Sequence, residues 1–492
     1  MAELTILRGG ERFVHPFNPP RPLSDVLAES GFAIPRPCGG RGRCGKCAVL
    51  LEGAVSPPTP AEEKAGRRLA CQAALLGDAS VVLPEARAME QIEIAGAGEV
   101  RPVRPMPGAF GAAVDIGTTT VALKLYDMKS GACLSEAGML NPQTAVAADV
   151  MGRIGAALEG GLGRMQAEIT GAIESLLKDA CGGAGLDPAR VESLVVTGNT
   201  TMLYLLTGRN PEALSHAPFE ADCLFDETVP LLGRAAYLPR CMHAFIGADI
   251  TCAALAAGQC ERDEVSLLCD VGTNGEIALW KDGLLRVSST AAGPAFEGAG
   301  ISCGCGSVRG AIDRAWAEDG KIGAHTIGDA PAVGVCGSGL IDAVAAALKL
   351  GLVDETGAMD EDELPLSGGV SLLPRDIRAV QLAKAAIAAG IETLLEEAGV
   401  GEEDVSTLYI AGGFGSHLDV NSAAAIGLFP EALASRVKVL GNAALAGAAQ
   451  LLLDTEKQEN TRAIASLARH VNLGGNKKFN EHYMDQMFFP EE

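Results

Sequence analysis

Four cysteines near the start of the chain have a spacing that suits a metal cluster. Three stand in one loop, with five and then two residues between them, and the fourth follows 24 positions later. Intervening glycines allow backbone N–H groups to approach sulfide ligands closely. This three-plus-one pattern is typical of a 2Fe–2S cluster, whereas a zinc site usually presents two short cysteine pairs and packed thiols would not gather among glycines. We predict the ligands Cys38, Cys44, Cys47 and Cys71.

Two related turn sequences could bind a polyphosphate. Each follows a strand-like run with an Asp-x-Gly-Thr sequence, and the two aspartates are 155 residues apart. Backbone N–H groups and hydroxyls of such turns donate to phosphate oxygens, while the carboxylate can hold Mg²⁺ through water. One such turn is common in ordinary structural hairpins, but two in related contexts indicate facing halves of one site. The predicted ligand-binding residues are Asp115, Gly117, Thr118, Thr119, Asp270, Gly272, Thr273, Asn274 and Gly275.

A third glycine-rich turn follows the apolar run at 407–410. Gly412, Gly413 and Gly415 would present backbone without side chains to an adenine and its ribose. The alternative is a simple turn between a strand and a helix.

The composition and the pattern of predicted elements change along the chain, which predicts several domains. Short strand-like runs surround the cysteine loop, Gly and Pro concentrate near residues 95–111, and alternating strands and helices follow. We predict a ferredoxin-type α+β domain over residues 1–92, a flexible linker over 93–110, and two lobes of an α/β domain over 111–265 and 266–492, the second including a C-terminal helix.

Composition limits the classes of function. The 492 residues are 48% hydrophobic and 21% charged, with a formal net charge of −23. A strongly acidic chain does not favour nucleic acid as a partner. The absence of an 18-residue apolar run and of a secretion-signal pattern predicts a cytoplasmic protein without a membrane partner.

Together these segments resemble a known family. The paired turns and the Gly-Gly turn are similar to the acetate and sugar kinase, Hsp70 and actin superfamily, and the whole chain resembles ATP-dependent reductive activators of corrinoid proteins. Further supporting segments lie at 141–143, 148–154, 197–202, 334–342 and 479–490. The resemblance implies an α/β multidomain fold, in which a 2Fe–2S ferredoxin-like domain precedes a two-lobed, duplicated ATPase.

The same resemblance implies an activity, cofactors and partners. One electron from the 2Fe–2S cluster would return Co(II) to Co(I) in a corrinoid protein of a methyltransferase system, driven by ATP and Mg²⁺ under anaerobic conditions. An external low-potential donor would reduce the cluster, and the active form could be one chain or a homodimer. Asp249 or Glu276 would orient the hydrolytic water, because ATP hydrolysis depends chiefly on positioning and electrostatics. A carboxylate at a helix N-terminus explains Asp249 equally well.

Two alternatives remain open at the level of sequence. One is a small-molecule kinase whose iron–sulfur domain is structural or regulatory, and the other is an electron carrier whose ATPase-like body is a docking scaffold. Cys303, Cys305 and Cys336 could suggest a second metal site, but packing of apolar thiols explains them more simply.

Overall fold

The computed structural model describes residues 1–8, 11–30, 32, 34, 42, 47–83, 101–413 and 418–491. Contacts within the chain define two units, one formed by residues 1–90 and 142–161 and the other by residues 91–141 and 162–492. Over these described ranges, no helix has both the length and the apolar character needed to cross a membrane.

The first unit contains a small sheet whose strands alternate buried and exposed residues. Leu4 and Ile6 of the first strand are fully buried, as is Val81 of the parallel strand beside it. This period of two places one face of the sheet on the core. The strand order is β2-β1-β6-β4-β5, with β3 paired to β6. The elements are β1 Ala2–Arg8, β2 Glu11–Phe17, β3 Arg21–Pro22, α1 Leu23–Glu29, β4 Ala48–Val55, α2 Pro60–Ala65, β5 Arg68–Leu69, β6 Ala74–Val82 and α3 Val150–Ala156.

The second unit begins with a lobe built on a sheet of order β11-β12-β10-β7-β8-β9. Its strands β7 and β8 form the hairpin that carries the first Asp-x-Gly-Thr turn. The elements are β7 Phe110–Ile116, β8 Thr120–Asp127, β9 Cys133–Leu140, α4 Leu162–Gly183, β10 Val191–Gly198, α5 Thr200–Thr207, β11 Glu227–Leu231, β12 Arg234–Leu238 and α6 Ala248–Ala257.

The other lobe of this unit is built on a sheet of order β22-β21-β13-β14-β15-β23. Its hairpin β13–β14 carries the second Asp-x-Gly-Thr turn. The elements are β13 Ser266–Val271, β14 Gly275–Lys281, β15 Leu284–Thr290, β16 Ala311–Glu318, β17 Lys321–Thr326, β18 Gly334–Val335, α7 Gly337–Lys349, β19 Leu364–Ser367, β20 Val370–Leu372, α8 Pro374–Ala398, β21 Thr407–Ala411, α9 Val420–Ala425, β22 Val437–Gly441, α10 Ala443–Leu453, α11 Lys457–Leu467, β23 Ala468–His470 and α12 Lys477–Asp485.

The two lobes repeat one topology, as the paired turn sequences predict. In each sheet three successive strands pair antiparallel, β7-β8-β9 and β13-β14-β15, and parallel strands extend the sheet beyond the first of the three. The equivalent parallel neighbours are β10 and β21. Because the hairpins occupy equivalent places, their turns lie at equivalent ends of the two sheets.

Helices α6 and α10 join the lobes. They cross so closely that a Cβ atom on Gly447 of α10 would lie 2.1 Å from the carbonyl oxygen of Cys252 in α6. Both helices contribute to a core that also contains Ala113 of the first sheet and Leu268 of the second. A single apolar core therefore extends across both lobes of the second unit.

Part of the predicted linker is attached to the second unit. Residues 93–100 lie outside the described residues, but the N–H groups of Val103 and Met106 donate to the carbonyls of Leu453 and Leu452. Met106 is 7% exposed. Residues 103–106 of the predicted linker are therefore attached to α10, which supplies backbone acceptors and apolar contacts that the composition of the linker does not reveal.

Candidate functional site

The structure brings two of the four predicted cluster ligands together. Antiparallel pairing of β4 with β5 places Cys47 beside Cys71, and their Sγ atoms are 3.2 Å apart. Thiolate–metal bonds of about 2.3 Å in tetrahedral geometry hold two sulfurs slightly farther apart than this. A small increase in the distance between the two Sγ atoms would let both thiolates bind one metal ion, so these residues fit the predicted cluster. Cys38 and Cys44 lie outside the described residues.

A buried carboxylate fixes the strand that leads to Cys71. Glu62 is 2% exposed and accepts hydrogen bonds from the N–H of Leu69 and the guanidinium of Arg68, both at 2.9 Å. Burial acts to raise the pKa of Glu62, but the hydrogen bonds from Leu69, Thr59 and Arg68 together lower it. The ionised carboxylate therefore holds β5 in place, two residues before the predicted ligand.

The two hairpins that carry the Asp-x-Gly-Thr turns, which are predicted to bind phosphate, meet in the second unit. The Oγ1 atoms of Thr119 and Thr273 lie 3.1 Å apart, although 154 residues separate them in the chain. Thr118 and Thr273 are each 6% exposed. The turns of the two lobes therefore face one site, as the repeated sequence predicts. The remaining residues of the turns, Gly117, Gly272, Asn274 and Gly275, lie beside these threonines in the chain.

Two asparagines that follow strand ends support the hairpins. Asn199 caps α5 and donates from Nδ2 to Thr118 Oγ1 at 3.0 Å, while Asn442 caps α10 and donates from Nδ2 to Asp115 Oδ2 at 2.9 Å. Neither is among the site residues predicted from sequence. A signal was present, because the dipeptide Gly-Asn follows both β10 and β22. A strand that ends in Gly-Asn before a helix places a capping amide at the site.

Glu297 is a further site residue that the sequence reasoning missed. Its Oε2 atom accepts hydrogen bonds of 2.5 Å from both Thr119 and Thr273. The carboxylate thus links the two hairpins, and it accepts hydrogen bonds from the same hydroxyl groups that would donate to a phosphate. Glu297 lies in the 3₁₀ helix Pro294–Glu297, 24 residues beyond the second turn, and no motif marks it.

Besides Glu297, four carboxyl groups gather around these hairpins. Burial raises the pKa of Asp115 to about 6, against a hydrogen bond from Asn442 that lowers it. Burial raises the pKa of Asp270 to about 7 and that of Asp249 to about 8, with added repulsion from neighbouring carboxylates. The pKa of Glu276 is raised well above its usual value by burial and then by Asp249 and Asp270. Such a concentration of acidic groups suits a hydrolytic water and a cation held by two carboxylates or through water, since no three acidic side chains among the described residues are arranged to hold a metal ion directly.

The positions of the two predicted catalytic carboxylates differ. Asp249 is half-buried in the first turn of α6, repels Asp115 and Asp270, and accepts the N–H of Ile250 at 2.8 Å. Glu276 is 8% exposed on β14 and accepts a hydrogen bond from Ser289 at 3.3 Å. Asp249 therefore interacts with both hairpin aspartates and remains partly exposed, whereas Glu276 is more deeply buried.

We expect the stability of the protein without nucleotide to fall as the pH rises from about 5 to about 8. Between the unfolded pKa of about 3.9 and the raised values of Asp115, Asp270 and Asp249, the folded state holds more protons than the unfolded state. The stabilisation from these three carboxyl groups is fully present below the pKa of the unfolded state. It is lost as the pH rises through their pKa values in the folded state. Urea unfolding across this pH range measures the effect.

The matched variant for this measurement is Asp249→Asn, which removes one titrating group and should flatten the slope. Magnesium with a nucleotide should also flatten it, since a bound cation favours the ionised carboxylates. Equal slopes in the wild-type protein and the variant would contradict the proposed origin of the effect.

The glycine turn after β21 is only partly described. Gly412 has a φ of +130°, and a Cβ atom there would lie 2.4 Å from the carbonyl oxygen of Val271, the residue that ends β13. Among the described residues, which stop at Gly413 and resume at residue 418, no atom lies within 4 Å of a Cβ atom built on Gly413. Gly415 lies outside the described residues. Gly412 is thus required by the packing of the turn on β13, while the described residues place no such constraint on Gly413.

We expect Gly412→Ala to lower the free energy of unfolding by about 2 kcal/mol, because it combines a disfavoured φ with a backbone clash. Gly413→Ala should leave stability nearly unchanged and weaken nucleotide binding if the nucleoside borders this turn. Thermal unfolding and nucleotide titration of both variants measure these effects. Similar losses of stability in the two variants would contradict this assignment.

The three cysteines that could suggest a second metal site lie in neighbouring segments. The N–H of Val335 donates to the carbonyl of Cys303, and the N–H of Cys305 donates to the carbonyl of Val335, both at 2.9 Å. Cys336 is 1% exposed. Among the described residues, no group of three or more His, Cys, Asp or Glu side chains is arranged to hold a metal ion.

Comparisons with known proteins identify each part of the chain. Residues 9–76 match the family model of the 2Fe-2S iron-sulfur cluster binding domain, residues 110–261 match the RACo middle region, and residues 264–492 match the C-terminal domain of RACo, the ASKHA domain. The fold and the site therefore define an iron–sulfur protein with an ATP-binding domain of the acetate and sugar kinase, Hsp70 and actin type. The predicted fold class is confirmed.

Relatives then identify the family. The chain is 35% identical over 419 residues to the corrinoid activation enzyme RamQ of Eubacterium limosum, covering 77% of this chain and 70% of the relative. It is 30% identical over 346 residues to the Co(II) methylated amine-specific corrinoid protein reductase of Methanosarcina barkeri, covering 62% and 64%. A solved reductive activator for a corrinoid, iron–sulfur protein matches 99% of each chain with 27% identity and a TM-score of 0.75. The chain belongs to the family of corrinoid activation enzymes, as its sequence motifs predict.

Proposed function

We propose that this protein uses ATP to drive one electron from a 2Fe–2S cluster to a corrinoid protein, returning Co(II) to Co(I). The observation that carries the proposal is the meeting of two phosphate hairpins and four carboxyl groups in the second unit of a chain whose first unit pairs Cys47 with Cys71. The two named relatives act on corrinoid proteins, which supports the same class of partner here.

The need for ATP follows from the reduction potentials. Plant-type 2Fe–2S clusters have potentials near −400 mV, and Co(I) is a stronger reductant. For a gap of about 200 mV, one electron requires about 4.7 kcal/mol, from about 1.4 kcal/mol for each 59 mV. A nucleotide can supply this free energy if it favours a complex in which the cobalt is easier to reduce.

The residues around the two hairpins would have different roles in binding and hydrolysing ATP. Asp115 and Asp270 would hold Mg²⁺, which neutralises phosphate charge when bound. Thr118, Thr119 and Thr273 would donate to the phosphates, and Glu297 would have to release the last two hydroxyls or share the cation. We propose Asp249 rather than Glu276 as the group that orients the attacking water, because Asp249 retains access to the site and interacts with both hairpin aspartates.

The remaining parts of the proposal concern the cellular setting. An external low-potential protein or small molecule would reduce the cluster, and a reducing cytoplasm would preserve the cysteine ligands. The unit of activity would be one chain or a homodimer.

The deciding experiment is an anaerobic reduction assay. Reduced protein is mixed with a Co(II) corrinoid protein, with Mg–ATP, with Mg–ADP or without nucleotide, and the cobalamin spectrum is followed. We expect Co(I) to form only with Mg–ATP, and ATP turnover to rise when the Co(II) partner is present. Equal reduction without nucleotide would indicate a simple electron carrier, and phosphorylation of a small metabolite would indicate a kinase.

A further inference from the structure

A polar cavity of about 260 Å³ lies at the edge of the second lobe's sheet. It is outside the group of hairpins and carboxylates described above, beside the short edge strand β23 and the start of α12. Its walls are rich in cationic and amide side chains. The lining residues used below are Arg286, Glu397, Arg469, His470, Asn472 and Asn476.

Two arginines stand side by side in this cavity. Arg286 of β15 and Arg469 of β23 are direct partners in the parallel register of these strands. Like charges on facing strand positions repel each other. Among the described residues, no carboxylate forms an ion pair with either guanidinium, although Glu397 lines the same cavity.

Arg286 has a hydrogen-bond donor without a partner among the described residues. Its Nη1 atom is buried, and the described part of the chain provides no hydrogen-bond partner for it. A buried donor of a charged group that lacks a partner is costly unless a ligand satisfies it. Both the repulsion and the unused donor would be removed by a single bound anion.

The other side chains that line the cavity restrict the chemical class of anion that could bind. Asn476 uses Oδ1 to accept the N–H groups of Lys478 and Phe479, which leaves its Nδ2 available as a donor. Burial and the neighbouring His243 lower the pKa of His470 to about 4, so its ring is neutral at pH 7. The site thus offers two guanidinium forks and an amide, with one opposing carboxylate.

We propose that this cavity binds a small tetrahedral oxyanion of the phosphate class. Two guanidinium forks can share the several oxygens of a phosphate, whereas a single carboxylate would satisfy only one fork. The volume is below the roughly 300–1,000 Å³ of sites for larger ligands, which favours inorganic phosphate or a short phosphate ester over a nucleotide. The site is separate from the phosphate hairpins and does not depend on the proposed function.

The test is a calorimetric titration of the full chain with inorganic phosphate. A nonhydrolysable ATP analogue with Mg²⁺ fills the hairpin site beforehand, so that phosphate cannot bind there. Sulfate and acetate are titrated in parallel as a tetrahedral and a planar anion. We expect phosphate and sulfate to bind and acetate to bind at least about tenfold more weakly.

Variants locate the binding. Arg286→Gln and Arg469→Gln should each weaken phosphate binding by about tenfold or more, and Arg101→Gln, which alters an exposed arginine elsewhere, should not. Arg469 is exposed on an edge strand, so its variant should remain folded, and circular dichroism checks this. Undetectable binding at millimolar phosphate, equal affinity in Arg469→Gln and wild type, or equal affinity for acetate would overturn the proposal.

Discussion

A Cys71→Ser protein is expected to lose its reductase activity completely while retaining nucleotide binding. Cys71 Sγ lies 3.2 Å from Cys47 Sγ, and four cysteine thiolates hold 2Fe–2S clusters of the plant type. Every predicted nucleotide-binding residue belongs to the second unit, so removing a ligand in the first unit leaves those contacts intact. Iron and sulfide content, the visible spectrum and the yield of Co(I) measure the loss, and nucleotide titration measures what is retained.

The control for this variant is Cys133→Ser. Cys133 is an exposed thiol on β9 and makes only a weak contact with the carbonyl of Ser135 at 3.6 Å. We expect its spectrum and activity to match those of the wild-type protein. Retention of a full complement of iron in Cys71→Ser, after anaerobic reconstitution, would show that Cys71 is not a ligand.

The second large effect is expected from Asp249→Asn. If Asp249 orients the hydrolytic water, ATP turnover should fall by about a hundredfold to ten-thousandfold. Nucleotide affinity should change little or improve, because the substitution removes a negative charge near the phosphates. Steady-state hydrolysis and nucleotide titration separate these two outcomes.

Glu276→Gln is the matched control for Asp249→Asn, since it also converts a buried carboxyl of this group to an amide. We expect a much smaller loss of turnover, because Glu276 lies deeper and is hydrogen-bonded to Ser289. A larger loss in Glu276→Gln than in Asp249→Asn would transfer the proposed role to Glu276.

Much of the site could be predicted because its chemistry is concentrated in short local patterns. Asp115 and Asp270 each begin a turn of the same sequence pattern. Each turn belongs to an equivalent hairpin in one of the two sheets. Asn442 could have been found in the same way, because β10 and β22 both end in a glycine that is followed by asparagine. Local patterns of this kind carry structural information because the backbone conformation of a turn restricts its residues.

Other features could not be predicted from the sequence. Glu297 reaches the hairpins only through tertiary packing, and nothing near it in the chain indicates a role. The attachment of residues 103–106 could not be predicted, because Leu452 and Leu453, more than 340 positions away, supply their backbone partners. Contacts at such separations depend on the folded arrangement, which composition does not describe.

The close crossing of α6 and α10 depends on a glycine. A side chain at Gly447 would meet the carbonyl oxygen of Cys252, so a larger residue there would force the two helices apart. Asp249 is in the first turn of α6 and Asn442 caps α10, so both groups stand on the helices that this glycine allows to touch. The placement of the carboxylate proposed to orient water, relative to the amide that supports Asp115, therefore depends on the absence of a side chain at one position.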